Sequence, residues 1–182
     1  MKKFLIVLGI ILVIMLGAIA YVRFYYTKTF SPKDQVKFEQ GDLKINIEYN
    51  RPYKKGRVIF SGLVPYDKVW RTGANEATTF ETSKDLMFGD KTLKAGKYSL
   101  WTTPREQTWI IFFNSETGQW GVGFNGVANH DPAKDALSVE ANAVAIEKEF
   151  EQFTIGIENS GEENELTFIW DKTLVAVPFS VK

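Results

Sequence analysis

A chain of 182 residues with 22 basic and 22 acidic side chains, one histidine and no cysteine excludes several function classes at once. Disulfide scaffolds, thiol nucleophiles, cysteine-ligated zinc or iron–sulfur centres and a lipid-modified N-terminal cysteine are ruled out, and the balanced charge gives no basic face for nucleic acid. With 45% hydrophobic and 14% aromatic residues, the composition suits a packed domain rather than a disordered segment.

The first element is Phe4 to Val22, an uncharged stretch of about 19 residues, or roughly 28 Å of helix, which matches the hydrocarbon thickness of a bilayer. It is apolar all round, unlike a core helix with one apolar stripe. Lys2 and Lys3 precede it, so the positive-inside bias places residues 1–3 in the cytoplasm. Tyr21, Phe24, Tyr25 and Tyr26 around Arg23 suit the far interface. A rival reading is a cleaved signal peptide, with Ala18-Ile19-Ala20 as the small residues before the cut. The run continues through Val22 with no polar stretch before that point, which favours an uncleaved signal anchor over residues 4–22. Either way the remainder is expected outside the cytoplasm, in the periplasm or at the cell surface.

Residues 23–35 read as a linker, including the polar stretch Thr27 to Gln35 with its single proline. From residue 36 to 182 the hydrophobic period is two. Leu43, Ile45, Ile47 and Tyr49 alternate with Lys44, Asn46 and Glu48, the pattern of a half-buried strand. Further runs predict strands at 57–61, 78–82, 98–103, 109–114, 137–145, 150–158, 166–170 and 174–181. Gly89-Asp90 predicts a hairpin between 86–88 and 91–93, and Asp171-Lys172 a tight turn between the last two strands. Residues 141–151 are the one stretch whose Ala, Glu and Lys content favours helix. Many short strands at this spacing predict an all-β fold, an antiparallel β-sandwich or jelly-roll-like domain preceded by one N-terminal transmembrane helix.

The segments Tyr49-Asn50-Arg51-Pro52, Gly62-Leu63-Val64-Pro65-Tyr66, Val69-Trp70-Arg71-Thr72-Gly73-Ala74-Asn75-Glu76-Ala77-Thr78, Ala95-Gly96-Lys97-Tyr98-Ser99-Leu100 and Gln119-Trp120-Gly121 together resemble the bacterial family DUF2911. The resemblance runs from about Val36 to the closing strands. It implies an exported β-rich domain of the cell envelope and brings no established activity with it. The absence of a cysteine departs from lipid-anchored forms and leaves the helix itself as the anchor.

Candidate chemistry concentrates in Trp70 to Thr78, where Arg71, Asn75 and Glu76 bracket a Thr-Gly-Ala turn. Arg71 offers forked donors, Glu76 an acceptor or general base, and Asn75 both donor and acceptor, so the three are expected either to hold a polar ligand or to form a structural ion pair. Arg51 and Arg57, with Lys54 and Lys55, form a basic patch suited to an anion or to plain solvation. Trp70 and Trp120 are candidate stacking platforms, with Trp120 held in a glycine-rich loop. Trp101, Trp109 and Trp170, with Tyr66 and Tyr98, could serve in the same way or simply fill the core from alternating strand positions, and Trp120 is the least core-like of the tryptophans. His130 stands alone, so a metal site built on two histidines is excluded. No metal or cofactor is expected. Asn129-His130-Asp131-Pro132 reads most simply as a turn.

These residues lead to a non-catalytic ligand-binding or scaffolding module, with Arg71, Asn75, Glu76, Trp70, Trp120 and Arg51 around a small polar or glycan-like envelope ligand. The domain is expected to be monomeric and to meet the membrane only through its helix. The alternative is a hydrolase using Glu76, or His130 with Asp131, as its acid–base group; no nucleophile accompanies it.

Overall fold

A computed structural model describes residues 2–123, 125–160 and 163–182. The apolar run folds as α1 (Lys2–Tyr21), a π-helical turn (Val22–Tyr26) and a last helical turn, α2 (Thr27–Phe30). Together they make one rod of 29 residues, long and apolar enough to cross a membrane. A helix satisfies its own backbone groups, so a single segment of this kind is stable in hydrocarbon. The expected linker is shorter than its composition suggests, because the helix continues through Phe30 and only Ser31 and Pro32 separate it from the first strand. Pro32 explains the stop: the residue before a proline is driven out of the helical region, and Ser31 has φ −146° and ψ 83°.

Nine strands follow. They are β1 (Lys33–Gln40), β2 (Leu43–Asn50), β3 (Thr78–Thr82), β4 (Leu86–Phe88), β5 (Lys91–Leu93), β6 (Gly96–Pro104), β7 (Thr108–Asn114), β8 (Asp135–Asn159) and β9 (Asn164–Val181). All pairings are antiparallel, in the order β1-β2-β3-β6-β7-β8-β9-β4-β5. The all-β antiparallel expectation therefore holds, with the N-terminal helix in front of it. The ladder folds back over its own core. Phe88 of β4 meets Phe113 of β7 at 5.0 Å between ring centroids, Trp109 of β7 meets Phe168 of β9 at 6.1 Å, and Tyr49 of β2 meets Phe153 of β8 at 5.9 Å. None of these strand pairs are neighbours in the ladder. The period-two positions Leu43, Ile45, Ile47 and Tyr49 are all buried, as alternation predicts.

Four local expectations are corrected. Residues 137–145 and 150–158 are one long strand, β8, and 141–151 is strand rather than helix: Ala141 pairs with Trp109 and Ala143 with Val175, so cross-strand packing overrides the helix propensity of Ala and Glu. Asp171-Lys172 is not a turn, because β9 passes straight through it. Asp171, at φ 53°, faces Phe150 where the register shifts, so the sequence feature marks a bulge that bends a long ladder. Residues 57–61 form turns, with only an isolated bridge between Phe60 and Val64. The Gly89-Asp90 hairpin forms as expected.

Candidate functional site

Two long connections meet at one end of the sheet: residues 51–77 between β2 and β3, and residues 115–134 between β7 and β8. The first is stitched to the ladder by bridges from Tyr53 to Gln152 and from Trp70 to Thr102. Between the two connections and the end of the helix lies a cleft of about 1110 Å³. Its walls include Phe30, Val64, Trp70, Arg71, Val127 and Trp170.

The block Trp70 to Thr78 is held by its own hydrogen bonds. The Trp70 indole Nε1 donates to the Gly73 carbonyl at 3.0 Å, Thr78 Oγ1 donates to the Thr72 carbonyl at 2.6 Å, and the Ala74 amide donates to the Asn50 carbonyl at 3.3 Å. Gly73 is required here. Its φ is +151°, and a Cβ would lie 2.9 Å from the Asn50 carbonyl oxygen. The Trp70 ring stacks on Trp170 at 6.0 Å and meets Phe153 edge-on at 4.9 Å, so this half-buried tryptophan is rigid on one side and faces the cleft on the other.

Arg71 and Glu76 do not form a salt bridge with each other, so the expected structural pair is corrected to two separate networks. Arg71 Nη1 donates to the carbonyls of Asn75 at 2.9 Å and Trp120 at 3.2 Å, while its Nε is buried with no partner among the described residues. Burial pushes the Arg71 guanidinium below its usual range, an effect that the nearby charge of Glu76 opposes. The aliphatic stem of Arg71 lies against Gly121, where a Cβ would come within 2.3 Å of Arg71 Cδ.

Glu76 turns away from the cleft, toward the helix. Lys28 Nζ binds Glu76 Oε2 and also donates to Asn50 Oδ1 at 3.2 Å, and Asn50 Nδ2 donates to Glu76 Oε2 at 3.2 Å. Burial raises the Glu76 carboxyl, but the hydrogen bonds from Lys28, its own amide and Asn50, with the Lys28 charge, outweigh it and hold the group below the usual carboxylate range. Asn75 Nδ2 points toward the Ser31 carbonyl at 3.4 Å. Trp120 lies under Arg23 of the π-helical turn, 4.8 Å from guanidinium carbon to ring centroid. The end of the helix is thus docked by three contacts, two on the block and one on Trp120.

Of the six candidate residues, the structure brings Trp70 and Arg71 to the cleft. Asn75, Glu76 and Trp120 contact the helix end instead. Arg51 is tied to Asp34 at 3.1 Å, to Thr154 Oγ1 at 2.8 Å and to the Phe153 carbonyl at 3.1 Å, which spends its donors on β1 and β8. Lys54 is likewise paired, with Glu149 at 3.0 Å and Asp171 at 2.7 Å. His130 pairs with Asp135 at 2.7 Å, not with Asp131, whose carboxylate accepts from the Ala133 amide and so caps the short 3₁₀ turn Pro132–Lys134. The imidazole sits against the rings of Trp101 and Phe112 and is 4% exposed, an arrangement that pins the 115–134 connection to the outer face of β6 and β7. Lys28, Phe30, Ser31 and Val127 escape a sequence reading, because no period or motif marks them and their role arises only when the helix end meets the two connections.

Among the described residues no group of three His, Cys, Asp or Glu side chains is placed to hold a metal ion. No curated protein and no solved structure matches the chain. The sequence model of DUF2911, described as a protein of unknown function, matches residues 31–179, the sheet save the last two residues of β9 and both connections that frame the cleft. The chain therefore belongs to the DUF2911 family.

Proposed function

We propose that this protein is a membrane-anchored, non-catalytic binding module whose cleft takes a small molecule with an anionic group on an apolar body. One observation carries the reading: the cleft is walled by the most distinctive block of the sequence, through Trp70 and Arg71, and its lining combines apolar side chains with an excess of cations. The charged lining among the described residues is Lys55, Arg57, Lys68 and Arg71 against Asp67, and Asp67 is itself paired with Arg105 at 3.0 Å. This departs from the glycan-like ligand expected of a pocket built on Arg71, Asn75 and Glu76, since two of those three face the helix. In this reading the helix is an uncleaved anchor, residues 1–3 lie in the cytoplasm and the sheet lies on the opposite side of the membrane. A hydrolase draws little support: Glu76 is engaged by Lys28 and Asn50, and His130, which lines the cleft, is 4% exposed and paired with Asp135 rather than Asp131.

The absence of cysteine makes the test clean. In the full chain in detergent, Ala128→Cys places one thiol in the cleft wall. Octyl phosphate is expected to slow its alkylation several-fold, with octanol and a panel of envelope glycans much weaker, and with no effect on a control thiol at exposed Lys97. If neither octyl phosphate nor any glycan protects the Ala128→Cys thiol, the binding reading is wrong.

A further inference from the structure

The mouth of the cleft has the composition of a surface that rests on a membrane. Among the described residues of the β domain, the large hydrophobic side chains left exposed are Val58, Leu63, Val127, Val144 and Val181. Leu63 and Val127 line the cleft, and Val58 adjoins it, its carbonyl accepting from the Leu63 amide at 3.0 Å. Val58 is 68% exposed and Val127 62%, one on each of the two connections. Beside them stand Lys55, Arg57 and Lys68, none of which forms a salt bridge among the described residues. They lack an ionic partner among the described residues, although Arg57 also donates to the Lys54 and Tyr53 carbonyls and Lys55 lies over the Phe30 ring, and apolar side chains flanked by such cations are the chemistry that binds an anionic bilayer surface.

The helix fixes where this mouth sits. The apolar run ends at Val22, and Arg23, the next residue, stacks on Trp120 of the 115–134 connection. That connection therefore touches the helix at the edge of the hydrocarbon, where tryptophan and tyrosine are favoured. Phe30, which lines the cleft, is eight residues past Val22, about 12 Å further along the rod and so at headgroup depth. Lys28 bound to Glu76, with Arg23 on Trp120, holds the domain in that attitude.

We propose that the cleft is filled from the bilayer: its ligand is an anionic phospholipid of the membrane in which the helix sits, with the phosphate met by Lys55, Lys68 and Arg57 and the upper acyl chain laid against Trp70, Val64 and Val127. This rests on the binding reading above and adds the source and class of the ligand. Zwitterionic phospholipid shares the apolar body but brings a cation to a rim already cationic, so the rim discriminates by charge.

The test uses the full chain in nanodiscs of phosphatidylcholine doped with phosphatidylglycerol bearing a photoactivatable acyl chain. Cross-linked peptides are expected from the 51–77 and 115–134 connections, in addition to the unavoidable ones from the helix. A phosphatidylcholine probe of the same acyl chain should label those connections far less. Replacing both Lys55 and Lys68 with glutamine, neither of which has an ionic partner to strand, should cut the connection-specific yield about tenfold. Equal labelling by the two probes, labelling confined to the helix, or indifference to the double substitution would each overturn the proposal. Should octyl phosphate protect the cleft thiol while the phosphatidylglycerol probe misses the connections, the binding reading survives and the bilayer source falls; should both fail, both fall.

Discussion

Strand β2 and the connection that follows it lie side by side in sequence and obey different rules. In β2 the four alternate residues Leu43, Ile45, Ile47 and Tyr49 enter the core by period alone, and each is set by size and hydrophobicity. In residues 51–77 no period survives, and position is fixed by single hydrogen bonds and unusual backbone angles. Of the six non-glycine residues with positive φ among the described residues, five lie in this connection: Lys55, Ser61, Asp67, Thr72 and Asn75. Left-handed backbone at side-chain-bearing residues costs stability and persists where the surroundings over-determine it, as functional loops do. The contrast teaches that the sheet is built for stability and the connection for the placement of a few groups.

The largest effects should come from the sheet, and they should track volume. Ile47→Ala is expected to cost about 2 to 5 kcal/mol, against about 0.5 to 1.5 for Ile47→Val, because the truncated side chain leaves a cavity in a fully buried site. Chemical denaturation of the full chain in detergent measures both. Equal costs for the two substitutions would break the claim that period and volume govern β2.

Arg71 comes next, and tests whether the connection depends on specific hydrogen bonds. Arg71→Met keeps the aliphatic stem against Gly121 but strips the donors from the Asn75 and Trp120 carbonyls, and leaving such groups unpaired costs about 1 to 3 kcal/mol. Arg71→Lys should recover only part of that loss, since its ammonium does not reach the position from which Nη1 alone donates to both carbonyls. If methionine is tolerated without loss, Arg71 is held by packing alone.

These two cases also show what a sequence makes legible. Alternation exposed most of the sheet, because burial on one face leaves a period that can be counted. It missed the continuity of β8 and β9, since a bulge at Asp171 carries the same residues as a turn: the bend is set by register against Phe150, which only pairing reveals. For the site, residue chemistry singled out Trp70 to Thr78 as the informative block, and Trp70 and Arg71 do line the cleft. It did not separate the two flanks of that block. Glu76 finds its partner 48 residues away, in Lys28, a distance over which local pattern carries no information.

Glu76 gives the third prediction, smaller because the pair is only partly buried, with side chains 23% and 30% exposed. Glu76→Gln is expected to cost about 1 to 2 kcal/mol, between the values for exposed and buried pairs. The sign of its pH dependence follows from the depressed carboxyl. A group whose folded-state pKa lies below its unfolded value contributes its full stability above the unfolded value and loses it as pH falls through the folded one. The wild type should therefore lose more stability than Glu76→Gln on acidification below about pH 4.5, and the two curves should converge at low pH. Parallel curves would remove Glu76 from the network that docks the helix.

The smallest expected effect is also the most discriminating, because it separates backbone from side chain at one position. Asn75 sits at φ +60° and its amide reaches the Ser31 carbonyl at 3.4 Å, a long and weak hydrogen bond. If the side chain matters through that bond, glycine and alanine should be equally harmful. If asparagine is there because it tolerates left-handed backbone, alanine should cost about 1 kcal/mol and glycine only a few tenths, since glycine adopts this conformation without a Cβ clash. The bond's length argues for the second outcome. Its consequence reaches the helix: with the Ser31 contact carrying little energy, the attitude of the domain on the helix rests on Lys28 with Glu76 and on Arg23 with Trp120. Asn75→Gly should then leave Trp120 fluorescence and the accessibility of the cleft unchanged, and a loss of either would show that this weak bond helps set the domain on the helix.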